Sequence, residues 1–406
     1  MRMKYLFISV IASTLLALTG CSSSNNVHEC HELLDHVYEV PTYTELDETY
    51  ADNYFLKTYD NWKREDKEVQ GGGCSAIKTT LDDGTIAVGR NMDLNISNKC
   101  AYVVRTSVPH KNKTFGLAYT FRDISPDYAK LKQDGGLQDD FYKLLPFMCD
   151  DVMNDKGLYI EINMRNGEYW PTGEDKYACK GTNEYASKKV YMFELTRYIA
   201  ENCDDLVQTK EYLKSLNVYS QEHYWNYAFL ICDRFGNSSI LEFGLNRYYW
   251  NDDAYCQTNF YLNRDCHNIE KIYSGLGRYA TLNAGIINVH TKADLYNLMD
   301  KVSYYQVYDP YNCQFDPRSE NIGALPYLTY ELIFDERYKD AIYMMMDEFG
   351  KSVRSLSRQQ QMDQNKFWES SFTEVVDVTN RNILCRFFEN EQLKVQISLE
   401  RTVVSN

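Results

Sequence analysis

The sequence predicts an α+β protein, an antiparallel sheet core covered by helices, and three observations carry that expectation. β-rich runs follow one another in hairpin order, beginning with "CSAIKTT" and "TIAVGRNMD" around "LDDGT", where Asp83-Gly84 is a strong turn signal. Amphipathic helical patterns such as "ASKKVYMFELTRYIAENC" and "DDLVQTKEYLKSL" lie between strand runs. The 406 residues are 44% hydrophobic and 25% charged, the composition of a globular chain with a sizeable core.

The elements follow in order. Arg2 and Lys4 precede an apolar run from Tyr5 to Leu18, a secretory signal too short to span a membrane as a helix. Its ending, Leu18-Thr19-Gly20-Cys21, resembles a bacterial lipobox, which implies lipidation of Cys21, and "SSSNN" then reads as a tether. The protein is therefore expected outside the cytoplasmic membrane, held to it through Cys21. Residues 22–73 read as tether and prosegment, with helical spacing in "HECHELLDHVYEV" and a dense aromatic set in "YADNYFLKTYDNW". Residues 74–406 read as one domain, with strands at "GLYIEIN", "WNYAFLICD" and "NSSILEF" and a closing antiparallel pair in "FTEVVDVTNRNILCRFFEN" and "LKVQISL".

A net charge of −15 and an isoelectric point near 5.0 argue against a nucleic-acid partner, which needs clustered Lys and Arg. Export permits disulfides among the ten cysteines other than Cys21 and Cys74. Their spacing, without CxxC, specifies neither a zinc site nor a pairing, and small buried apolar roles serve equally well. "GLGRYA" at Gly275 fits a dinucleotide fingerprint but follows no clear strand. In "HELLDH" the histidines, His31 and His36, are one residue too far apart for a zinc-protease helix, and His28, Cys30 and His31 read as an exposed prosegment face.

Three glycines lead into Cys74. Flexible residues without side chains suit a peptide bond that must be reached and cut. Cutting Gly73–Cys74 gives the cysteine a free α-amine of pKa about 7.7–8.0, a base carried beside its own thiol. A two-residue turn at Asp83-Gly84 pairs Asp82 with Thr85, places Asp93 opposite Cys74, and turns Arg90 to the other face unless a bulge near Gly89 re-aims it. Asp93 is then the candidate to hold the α-ammonium.

"CSAIKTTLDDGTIAVGRNMD" resembles the start of the choloylglycine hydrolases, or linear amide C–N hydrolases, which include bile salt hydrolases and penicillin V acylases. The resemblance implies an N-terminal nucleophile hydrolase with a four-layer αββα sandwich of antiparallel sheets. It assigns Cys74 as nucleophile and base, Arg90 beside the thiol, and Asp93 on the amine. "VMNDKGLYIEIN" resembles the segment supplying an oxyanion contact; ungapped counting puts Met164 where bile salt hydrolases have Asn, with Asn163 one earlier. "CQTNF" implies Asn259 in the oxyanion hole, and "SGLGRYATL" implies Arg278 as a second active-site arginine, with Tyr279 beside it as a candidate substrate contact. No metal or organic cofactor is implied. The substrate is expected to be a small N-acyl amide: a bile salt conjugate, penicillin V, an N-acyl homoserine lactone or another N-acyl amine. A homo-oligomer is also expected.

The alternative is a non-catalytic ligand-binding lipoprotein on the same fold, against which the intact set Cys74, Arg90, Asp93, Asn259 and Arg278 argues. A glycosidase pairing Glu161 with Asp93 has no spacing argument. Cleavage after Gly73 would sever the lipid from the catalytic domain unless the prosegment stays bound through Tyr54, Phe55, Tyr59 and Trp62.

Overall fold

The structure, a computed structural model, describes residues 27–61, 73–93, 100–119, 126, 128–165, 177–179, 188–219, 226–244, 247–263, 276–303, 370–387 and 393–406. Cys21, Trp62 and the glycines before Gly73 lie outside them, and Tyr59 has a described backbone only.

Among the described residues, two sheets face each other. The smaller has seven strands in the order Cys256–Gln257, Gly73–Thr80, Ile86–Asp93, Ser370–Asp377, Asn382–Phe387, Lys394–Ile397 and Thr402–Ser405, every neighbouring pair antiparallel. The larger has nine, in the order Arg247–Asp252, Ser238–Gly244, Asn226–Asp233, Leu158–Arg165, Asp151–Asn154, Thr114–Tyr119, Ala101–Thr106, Val37–Glu39 and His31–Leu34. Its one parallel pairing joins Val37–Glu39 to Ala101–Thr106.

Strand alternation sorts the apolar residues into three cores. Ala76, Val88, Met92, Phe372 and Val376 of the smaller sheet meet Val103, Phe115, Leu117, Tyr159 and Leu230 of the larger. The larger sheet's other face, with Val104, Ile160 and Phe229, is covered by helices Asp139–Leu144, Leu195–Asn202 and Leu206–Leu213. The smaller sheet's other face, with Ile77, Ala87 and Val375, is covered by Leu276–Gly285 and Lys292–Val302. The architecture is the four-layer α/β/β/α sandwich.

The first hairpin corrects the register. Leu81 N–H donates to Thr85 O at 2.9 Å, Gly84 N–H donates to Leu81 O at 2.9 Å, and Gly84 takes φ +83°. The turn is thus a three-residue loop closed by a left-handed glycine, not a two-residue one. The one-residue difference inverts the pleat. Cys74 pairs with Met92, Ala76 with Arg90 and Gly73 with Asp93, so Arg90 shares the face of Cys74 and Asp93 takes the opposite one. The ladder runs without a register shift from Gly73 to Thr80, so no bulge at Gly89 is involved. A Cβ at Gly89 would meet Met299 Cγ at 2.6 Å; the glycine admits the overlying helix.

"HECHELLDHVYEV" forms strands, not a helix. His36, at φ 61°, turns the chain between His31–Leu34 and Val37–Glu39. Leu34 and Val37 enter the core between the sheets while Tyr38 and Val40 enter the helix-covered one, a two-sided burial that an amphipathic helix does not give. The following helix, Glu48–Asn61, buries Ala51 and Phe55 one turn apart. Glu39 ties this segment across the molecule, accepting from Arg105 and, at 2.7 Å, from Thr402 Oγ1.

"ASKKVYMFELTRYIAENC" divides into strand Lys188–Tyr191, a short 3-10 turn and helix Leu195–Asn202. The strands read at "GLYIEIN", "WNYAFLICD" and "NSSILEF" are present, as are the closing antiparallel pairs. Cys30, Cys74, Cys100, Cys149, Cys203, Cys232, Cys256 and Cys385 are free thiols, and all but Cys30 are buried.

Candidate active site

Cys74 opens the second strand of the smaller sheet and is 4% exposed. Its backbone is held from the helix side. The Cys74 N–H donates to Asn259 Oδ1 at 3.0 Å, and the Cys74 carbonyl accepts from Arg278 at 2.7 Å. The same Arg278 nitrogen donates to Ser75 Oγ at 2.6 Å and lies 3.4 Å from Asp93 Oδ2, while the other terminal nitrogen donates to Asn259 Oδ1 at 2.5 Å. One guanidinium therefore fixes four groups around Cys74, and all are buried.

Sequence position explains why these residues can meet. Gln257 pairs with Ala76, which carries the chain past Cys74 two residues later and delivers Asn259. Arg278 stands on the first turn of Leu276–Gly285, the helix lying over Cys256 and Ile77. Asp93 ends its strand opposite Gly73, on the helix-facing side with Asn91, whose Nδ2 donates to Met299 O at 2.9 Å.

The sandwich side of Cys74 differs. Its Sγ lies 3.6 Å from Met92 Sδ, and Arg90 is its diagonal neighbour on the same face. Arg90 is fully buried and uses all three nitrogens: Nε to Glu161 at 2.9 Å, one terminal nitrogen to Asp151 at 2.7 Å, the other to Ile162 O at 3.0 Å. Glu161 also accepts from Gln257. Ala76, between Gln257 and Arg90 in the ladder, leaves room for both longer side chains.

Burial pushes the Cys74 thiol up to about 12. The Arg90 charge opposes this, the Asp93 charge adds to it, a hydrogen bond from the Asp93 backbone N–H opposes it, and the Glu161 charge adds to it. With Gly73 still attached, Cys74 has an amide rather than an amine at its nitrogen.

The family model for linear amide C–N hydrolases, choloylglycine hydrolase family, matches residues 74–245, starting on Cys74. Over residues 74–245 the chain is similar to this family. It is a hydrolase of linear amide carbon–nitrogen bonds. Two variants of the conjugated bile acid hydrolase from Clostridium perfringens are similar in structure. One is 14% identical over 82% of this chain and 96% of that chain, with a TM-score of 0.42. The other is 15% identical over 82% and 97%, with a TM-score of 0.43. Penicillin V acylase from Agrobacterium tumefaciens is 12% identical over 81% of this chain and 87% of that one, with a TM-score of 0.41. No curated protein matches the chain.

Of the residues singled out in this hydrolase's sequence, Cys74, Asp93, Asn259 and Arg278 converge in one cluster, and Arg90 flanks the thiol from the other side. Asn163 is buried on the face of its strand that Tyr159 and Glu161 share, toward the smaller sheet. Met164 pairs with Tyr227 in that strand. Tyr279 is half-buried in the helix layer, edge-on to Phe260 with ring centroids 5.1 Å apart. Ser75, Asp151, Glu161 and Glu374 were not anticipated in these roles. The available signal was a lone carboxylate inside apolar strand runs, "YIEIN" and "FTEVV".

Proposed function

We propose that the protein is an exported, self-processing cysteine amidase that cleaves N-acyl amines through a thioester on Cys74. The observation carrying this reading is the convergence of Asn259 and Arg278, 185 and 204 residues away, on the backbone N–H and C=O of one buried cysteine. A structural cysteine needs no such frame. Once Gly73–Cys74 is cut, the nitrogen now donating to Asn259 becomes an α-amine at hydrogen-bond distance from that side chain, with Asp93 beside it.

The chemistry runs in two halves. The α-amine takes the thiol proton and the thiolate attacks the substrate carbonyl, giving an oxyanion. Asn259 Nδ2 and a backbone N–H of the Glu161 strand, near Asn163, donate to it. The C–N bond breaks, the leaving amine takes the proton from the α-ammonium, and the acyl group remains as a thioester. Water then attacks the thioester, its proton passing through the α-amine to the thiol, and the acid leaves. All protons balance without a cofactor.

Substrates fitting this chemistry are conjugated bile salts, penicillin V, N-acyl homoserine lactones and related N-acyl amines. The burial of Asn163 on the strand face that Tyr159 and Glu161 share supports keeping bile salt conjugates among these substrates, although ungapped counting aligns Met164 with the Asn of bile salt hydrolases. The N-terminal segment stays with the enzyme after cleavage: Val37–Glu39 and His31–Leu34 complete the larger sheet, and Phe55 is fully buried. A lipid on Cys21 would then still anchor the processed enzyme, and detergent-phase partitioning of the catalytic chain tests this; its appearance in the aqueous phase alone sinks retention. No helix among the described residues is long and apolar enough to cross a membrane.

The amidase reading is tested by incubating processed protein with a panel of N-acyl amides, quenching in acid and measuring mass. An acyl adduct on the Cys74 peptide is expected, and free amine must appear in step with it. Turnover of no panel member, with no adduct, would favour the ligand-binding alternative.

A further inference from the structure

Beside the nucleophile, buried between the sheets, lies a cluster whose proton count can be read from its geometry. Across the inner face of the smaller sheet the ladder aligns Gln257, Ala76, Arg90, Glu374 and Cys385, one row from Cys74, Met92, Phe372 and Phe387. Asp151, Tyr159 and Glu161 project into the same space from the larger sheet. Arg90, Asp151, Glu161 and Glu374 are all 0% exposed. Three carboxyl groups thus share one guanidinium in a buried layer.

Tyr159 Oη lies 2.7 Å from Glu374 Oε1 and 3.1 Å from Asp151 Oδ1. One phenolic proton serves only one of these contacts; if both neighbours were carboxylates, the other would set two bare oxygens together. A proton on Glu374 resolves both. Glu374 then donates to Tyr159, and Tyr159 donates to Asp151, whose second oxygen takes Arg90 at 2.7 Å. Glu374 Oε2, which has no hydrogen-bond partner among the described residues, becomes a carbonyl oxygen rather than half of a buried charge, and that costs far less unpaired. Burial also raises the Glu374 carboxyl above its ordinary range. Burial raises Asp151 too, well above its ordinary range, but its direct contact with Arg90 at 2.7 Å assigns the charge there.

We propose that Glu374 is a neutral carboxylic acid in the folded protein, heading a relay through Tyr159 to Asp151 that aims Arg90 and halves the net negative charge beside Cys74. With Glu374 protonated, Arg90, Asp151 and Glu161 sum to one negative charge; with Glu374 ionised they sum to two. Among the described residues, the other titratable groups facing the cluster are Cys74, Cys385 and Asp150, with Asp93 acting on the Cys74 thiol and Arg386 on Cys385. Glu374 and Asp151 are positioning residues, acting on the thiol through Arg90, whereas Glu161 both holds Arg90 and acts on the thiol through its own charge. Their effect on catalysis rests on the nucleophile reading of Cys74; the protonation of Glu374 does not.

Infrared difference spectroscopy tests the protonation directly. Wild-type protein at neutral pH should show a carboxylic-acid carbonyl band, sensitive to D2O, that is missing in E374Q and kept in E161Q. If the wild type lacks any band that E374Q removes, the proposal is overturned. Should E374Q not fold, Y159F keeps the acid but removes its acceptor, and the band must move; an unmoved band overturns the relay. The electrostatic part is read from the pH dependence of Cys74 alkylation, taken as the difference from C74A. E374Q should leave the thiol's apparent pKa within about 0.3 units, whereas E161Q, removing a real charge, lowers it by about one. An equal drop in both variants means that Glu374 is ionised and contradicts the proposal.

Discussion

Two buried arginines flank the same cysteine and do different work. Arg90, on the sandwich side, spends its contacts on two carboxylates and a carbonyl, and reaches the thiol only through its field. Arg278, on the helix side, holds the Cys74 carbonyl, Ser75 and Asn259, acceptors that are mostly neutral, with the Asp93 carboxylate further off at 3.4 Å. A guanidinium answered by acids is part of the core and sets local electrostatics. A guanidinium holding neutral groups is a frame that aims them. The difference teaches that one residue type at one site divides between holding the fold and aiming the groups around Cys74, and that substitution should separate the two.

The largest separation is expected from R90M. It removes the cation shared by Asp151, Glu161 and Glu374, and leaving buried charges uncompensated costs about 3–5 kcal/mol. Urea unfolding should show a midpoint far below wild type, or no soluble protein. R278Q should fold, because its partners are neutral or can be reached by the glutamine, yet hydrolysis should fall by about 10²–10³ as Asn259 loses its orientation. If R278Q unfolds as readily as R90M while its surviving fraction is fully active, the comparison is broken.

A third expectation concerns pH. Glu374 has a folded-state pKa raised from 4.5 by burial, so the fold binds a proton that the unfolded chain releases above that value. Its contribution is fully present below about 4.5 and is lost as pH rises through the folded value. Melting temperature should therefore decline from mildly acid to alkaline pH in wild type and decline less in E374Q. Identical slopes would remove the acid from the account. The smallest effect should come from S75A, which deletes one of the hydrogen bonds of Arg278 and should cost about 1 kcal/mol with little change in rate.

The α+β class was legible because the strand runs carry period-two patterns and clear turns. The N-terminal strands were not, since "HECHELLDHVYEV" places apolar residues at spacings that fit a helix, and only the turn at His36 and pairing with Ala101–Thr106 decide otherwise. Tertiary pairing overrode local pattern there. The hairpin shows how one residue of loop length redistributes a site: with Gly84 closing a three-residue loop, Arg90 and Asp93 exchange faces relative to the two-residue reading. Both still reach Cys74, Arg90 across the diagonal and Asp93 through its backbone N–H at the strand end. Asn259 and Arg278 were found by resemblance to family motifs, and nothing local in the sequence says that they meet. Asp151, Glu161 and Glu374 are spread over 223 residues and are joined only by the packing of two sheets, although Glu161 and Glu374 each stand in an apolar run where a charge requires a partner.

The account rests on Cys74 becoming the first residue of the working enzyme. The most direct test is the intact mass and N-terminal sequence of protein expressed from Ser22 onward, beside C74A. The account predicts that the wild type yields a chain beginning at Cys74, with the N-terminal piece co-purifying, and that C74A stays whole. Wild type that remains uncut while hydrolysing amides, or C74A cut at the same bond, would contradict it.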